Sequence, residues 1–245
     1  MTFGIVWSEI KLLTREPLTL LMSLLFPIVL MVLLVMSFGN EPDPEMGGIG
    51  GTDFYVPVYA SATVAVMGLL GIPTHLSGYR NGGVLRRFRA SGVPGWTMIP
   101  AQTTVMAALV VFGVAAMVAI GFAFYDLSEP DSALGVVVGF ALGTLAFAGI
   151  GSLLGAVLPT SRAAQGLGLL LFFGLFFIAG GGPPPAILPD SINTFVSFTP
   201  MGPLVDAVSD PWHRGDWNVT ALVALGGIAL VTMALAARRL SSETD

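Results

Sequence analysis

Residues 133–158 read ALGVVVGFALGTLAFAGIGSLLGAVL. The run holds no charged side chain. About 20 apolar residues in a helix cross the hydrocarbon core of a bilayer, and this run suffices. Its glycines recur every four positions: Gly135, Gly139 and Gly143, then Gly151 and Gly155. Small residues at that spacing let helix backbones approach closely. The stripe serves either packing within the protein or an interface with a second copy.

Five further runs have the same character: 18–38, 55–76, 98–125, 163–181 and 219–237. None contains Asp, Glu, Lys or Arg. The reading is an all-α integral membrane protein with six transmembrane helices. Composition agrees: of 245 residues, 54% are hydrophobic and 10% charged, against roughly 25% charged in soluble domains. The mean hydropathy is +0.84. The first run is longer than the apolar core of a signal peptide, so a retained helix is expected.

Basic residues orient multi-pass proteins. With a cytoplasmic N-terminus, Lys11, Arg15, Arg80, Arg86, Arg87, Arg89, Arg162, Arg238 and Arg239 lie inside, and only Arg214 lies outside. Both termini are then cytoplasmic, in a cell-membrane protein. Trp7, Trp96, Trp212 and Trp217 flank the runs, as amphipathic rings at the headgroup level should. Residues 3–15 read as an amphipathic helix along the cytoplasmic interface, or as an extension of the first span. The external segment 182–218 opens on Gly-Pro-Pro-Pro and continues too apolar for a solvated loop and too broken to span. Short re-entrant or surface helices are expected there.

Several chemistries are excluded. Without cysteine there is no disulfide, thiolate nucleophile or thiolate metal site. Lys11 is the single lysine and follows no glycine loop, so no phosphate-binding loop exists. His75 and His213 fall on opposite sides of the membrane and cannot share a metal. No nucleophile–base pair lies within a span, which argues against an intramembrane enzyme. No basic stripe suggests nucleic acid. Ion-coupled carriers place ionisable groups inside their spans, and none is found here except His75 at the tail of the second. Uphill movement would need energy from a partner. A scaffold or regulatory subunit needs none.

The segment Arg80-Asn81-Gly82-Gly83-Val84-Leu85-Arg86-Arg87-Phe88-Arg89-Ala90-Ser91-Gly92 is the richest in charge. It reads as a short helix with one apolar face, or as basic residues touching anionic headgroups. It also resembles the signature loop of ABC-2-type exporter permeases, especially daunorubicin-resistance-like membrane subunits. Arg15-Glu16-Pro17-Leu18 through Phe26-Pro27 is similar to that family as well. So is the external stretch Gly182-Pro183, Leu188-Pro189 and Pro200-Met201-Gly202-Pro203. The resemblance covers nearly the whole chain. One departure stands out: the family's usual glutamate is Asn81 here, so a salt bridge through that carboxylate is lost.

The resemblance implies a mechanism. Two permeases, copies of this chain or related ones, would form the pathway, and two cytoplasmic ABC ATPase subunits would bind ATP and magnesium. No cofactor is expected on this chain. Residues 78–94 would be the coupling segment, through Arg80, Asn81, Leu85, Arg86, Arg87, Phe88 and Arg89. Arg162, in the next cytoplasmic connection, would be a second contact, and 3–15 a connecting helix. The cargo would be a hydrophobic compound, a drug, antibiotic or lipid, exported from the cell. Phe172, Phe173, Phe176 and Phe177, with Thr63 and Met67, are candidates to line its cavity; lipid-facing or packed phenylalanine is the alternative.

Overall fold

The structure, a computed structural model, describes residues 17–92 and 94–242. The amphipathic helix expected over 3–15 lies outside them. Ten α-helices carry the described chain. Helix α1 is Pro17–Phe38. Helix α2, Gly51–Val66, runs through a widened π turn, Met67–Gly71, into α3, Ile72–Asn81. The arginine-rich segment forms α4, Val84–Ala90. Then come α5, Met98–Phe124, and α6, Ala133–Val157. Helix α7, Ser161–Phe176, ends in a second π turn, Phe177–Gly181. Two shorter helices follow, α8, Asp190–Ser197, and α9, Met201–His213. Helix α10 is Val219–Ser242.

Among the described residues five helices are long and apolar enough to cross a membrane: Gly51–Asn81, Gly95–Phe124, Ala133–Val157, Ser161–Gly181 and Val219–Ser242. The described apolar part of α1, Ile28–Ser37, is shorter. The second span extends beyond the expected 55–76 at both ends. Thr52, Asp53, Ser77, Arg80 and Asn81 are polar, yet they continue the helix.

Helix α6 is the hub, packed against α10, α9 and the α2–α3 rod. Its glycines explain the close fit. A Cβ at Gly135 would lie 2.6 Å from Pro211 Cβ. At Gly139 it would strike the Ala207 carbonyl, at Gly143 Leu204, at Gly151 the Gly68 carbonyl. At Gly155 it would lie 2.8 Å from Leu76 Cβ. All five glycines thus meet neighbouring helices of the same chain.

Prolines decide which carbonyls lie there. A proline has no N–H, so the carbonyl four residues earlier loses its helical donor. Pro211 leaves the Ala207 carbonyl without one, and that oxygen faces Gly139. In the π turn the Ile72 N–H goes to the Met67 carbonyl. The next residue is Pro73, so neither neighbour reaches the Gly68 carbonyl, which faces Gly151. Pro57 deprives the Asp53 carbonyl in the same way, and His213 Nε2 donates to it at 2.9 Å. Glycine Cα–H groups are weak donors to such oxygens, and only glycine lets them come so near.

Polar contacts close the end of the bundle remote from α4. The Asn40 amide donates to the Tyr125 carbonyl at 3.1 Å. Asp53 accepts from the Ser128 N–H at 2.8 Å and its hydroxyl at 2.9 Å. The 182–218 segment folds back here, with Leu204, Ala207 and Val208 of α9 buried in the main core. On α9, the Asp206 carboxyl is raised to about 6, first by desolvation and then by Asp210. The neutral form is therefore favoured in the folded state. The protein should lose stability as pH rises from about 4 to about 6, where the unfolded group ionises and the folded one resists. Asp206 is exposed to solvent, which weakens its desolvation, so the slope should be shallow. Thermal melts across that range should show it, and Asp206→Asn should flatten it.

Candidate functional site

At the other end, α4 sits on a small second core. Leu85 is buried there with Leu76, Met98, Ile99, Ala156, Ala236 and Leu240. Half-buried Phe88 packs beside it. The helical repeat then turns Arg86 and Arg87 outward, and both are exposed. Gly83 starts the helix from a left-handed turn, φ 69°, a conformation that suits glycine. The Arg89 side chain falls outside the described ones.

The α6–α7 connection lies alongside. Thr160 caps α7 by accepting the Ala163 N–H at 3.1 Å. Arg162 is exposed beyond the cap. Arg80 turns inward. Its Nη1 donates to the Gly155 and Leu158 carbonyls, each at 3.1 Å. The last carbonyls of a helix lack intrahelical donors and carry partial negative charge, so a guanidinium is well matched to them. Asn81 Nδ2 donates to the Pro159 carbonyl at 2.8 Å.

Aromatic rings join the α2–α3 rod to α7. Tyr59 and Phe176 meet edge to face with centroids 5.2 Å apart. Phe172 and Phe176 stack at 5.3 Å, Phe173 and Phe177 at 6.1 Å. The Tyr59 hydroxyl donates to the Gly181 carbonyl at 2.8 Å. Helix α7 unwinds there, with Gly180 at φ 92°, so the hydroxyl satisfies a carbonyl the helix no longer serves. Phe172 and Phe176 are 2% and 1% exposed, whereas Phe173 and Phe177 are 37% and 49% exposed.

A family model described as ABC-2 type transporter matches residues 2–210. The chain belongs to this family. No curated protein matches it. It is a multi-pass membrane component of an ABC transporter, and that family works with ABC ATPase subunits.

The permease divides the expected site residues. Of the coupling set, Arg86, Arg87 and Arg162 are free to face a partner. Leu85 is buried in the second core, where it anchors α4. Phe88 shares that role in part. Arg80 and Asn81 face the neighbouring connection.

The expected cavity residues differ in exposure. Phe172, Phe176, Thr63 and Met67 are packed inside the permease protomer, with the Thr63 hydroxyl donating to the Tyr59 carbonyl at 3.1 Å. Apolar side chains at helical spacing fill a core as readily as a cavity. Phe173 and Phe177 reach the surface. Among the described residues no cluster of three His, Asp or Glu could hold a metal. Sequence reading missed Tyr59, Gly68 and Gly168. Gly168 admits the Leu69 carbonyl, four residues before Pro73, so prolines inside apolar runs were the available signal.

Proposed function

We propose that this permease exports a hydrophobic or amphiphilic compound, drug, antibiotic or lipid-like, driven by ATP hydrolysis on partner subunits. Two permeases and two ATPases make the assembly, with ATP and magnesium bound by the ATPases. The six apolar runs support six spans, and the distribution of basic residues supports two cytoplasmic termini. The observation that carries the reading is the exposed trio Arg86, Arg87 and Arg162, held on an end whose core is anchored by Leu85. Apolar runs without Asp, Glu, Lys or Arg support it, because ion coupling would need such groups inside the membrane. The exposed Phe173–Phe177 stack suits a pathway or a permease–permease contact.

The test is co-expression with an ABC ATPase, sought first in the genes next to that for this chain, and purification through a tag on one of them. Joint purification is expected, with ATP-dependent efflux of a hydrophobic dye or antibiotic from vesicles. Arg86→Glu/Arg87→Glu should cut co-purification at least about tenfold, since reversing charges at an interface costs several kcal/mol. The protein yield should hold, because both side chains are exposed. Full assembly and efflux in that variant would remove the arginine face from coupling. Assembly without efflux of any probe would point to a scaffold.

A further inference from the structure

The two connections at the arginine-rich end touch through donors on one and carbonyls on the other. Arg80 reaches Gly155 and Leu158, and Asn81 reaches Pro159. A third approach lies beside them, where a Cβ at Gly78 would sit 3.0 Å from Ser161 Oγ. Beneath, Leu85 of α4 and Ala156 of α6 share one core. We propose that the α3–α4 connection and the 158–162 turn form a single rigid lever, with Arg80 and Asn81 as its positioning residues.

The acceptors explain why position 81 carries an amide. Pro159 offers a carbonyl, which only accepts. Asparagine supplies an N–H to it. A carboxylate there would set a charged oxygen against the carbonyl oxygen. Asn81 therefore acts through the neighbouring connection and is not a docking residue. Force applied at Arg86 and Arg87, or at Arg162, reaches α3, α6 and α7 together. This deepens the ATPase-docking reading and rests on it. The competing arrangement is two levers that separate in each cycle.

The chain has no cysteine, so a pair can be introduced cleanly. Gly78→Cys/Ser161→Cys places two Cβ atoms near the disulfide range of about 3.5–4.5 Å. The protein is oxidised in native membranes with its ATPase co-expressed, and locking is read as loss of maleimide labelling. Ready locking is expected, with ATP-driven efflux retained in the locked state. Adding Asn81→Asp should slow locking about fivefold, the effect of one net hydrogen bond, while yield holds and the melting temperature falls by no more than a few degrees.

Loss of efflux on locking, restored by reductant, would show that the two connections must part, and would overturn the single lever. Absent locking, or locking indifferent to Asn81→Asp, would overturn the joint itself. If the unlocked pair moves no probe, the exporter reading fails. The locking rate and its dependence on position 81 still decide the joint.

Discussion

Gly151→Ala is expected to destabilise the permease by about 1–3 kcal/mol, and Gly151→Leu to prevent its accumulation as a folded protein. Two effects oppose each other. Alanine is the better helix former by about 1 kcal/mol. Against that, the new methyl would strike the Gly68 carbonyl and lie 3.1 Å from Ile72 Cβ. The carbonyl is backbone in a rod held from both sides, since Gly168 of α7 admits the adjacent Leu69 carbonyl. It cannot swing away as a side-chain tip could. The helices must part, and packing along their whole contact is lost. Gly226→Ala on α10 provides the contrast, because a Cβ there meets nothing within 4 Å. It receives the propensity gain alone, so the two substitutions should have opposite signs. Thermal unfolding of detergent-solubilised protein, followed by size-exclusion chromatography, measures both. Equal effects at the two positions would refute the close crossing of α6 on the π turn.

Phe176→Ala should cost about 3–5 kcal/mol of stability, the usual loss when a buried phenylalanine is truncated. The ring is 1% exposed and meets Tyr59 edge to face and Phe172 in a stack. Its removal opens a cavity between α2 and α7, beside the Tyr59 hydroxyl bond to Gly181. Phe177→Ala, at a ring 49% exposed, should change stability by no more than about 0.5 kcal/mol. The same melting assay separates them. In efflux measurements the order should reverse, with Phe173→Ala and Phe177→Ala shifting the range of compounds moved. A Phe176→Ala protein that melts like the parent would place that ring outside the core.

Much of the architecture was legible beforehand. The runs 98–125 and 133–158 correspond to α5, Met98–Phe124, and α6, Ala133–Val157, almost residue for residue. Long stretches without charge leave few other conformations inside a bilayer, where every backbone polar group must be satisfied internally. The second span was under-read because polarity marks where a helix leaves lipid, and backbone hydrogen bonding marks where it ends. These are different boundaries. At the arginine-rich end, the spacing of Val84, Leu85 and Phe88 announced an apolar face on α4. It could not say that the face meets Leu76, Met98 and Leu240, residues distant in sequence.

Phe172 and Phe173 show the limit most clearly. They are chemically identical neighbours on one helix. In a soluble protein, water would tell the inner from the outer by excluding one face. In a membrane, lipid tails solvate phenylalanine about as well as a protein core does, so composition carries no such mark.

The amino-acid sequence by itself determined the charge-free apolar runs, the clustering of arginines between them and the family, because these follow from apolar length, charge placement and motif order. Tertiary structure alone decided which phenylalanines are buried, which carbonyls the prolines hand to Gly139 and Gly151, and that Asn81 bonds Pro159. Each of these depends on two distant segments meeting at a few ångströms, and no local pattern specifies that distance.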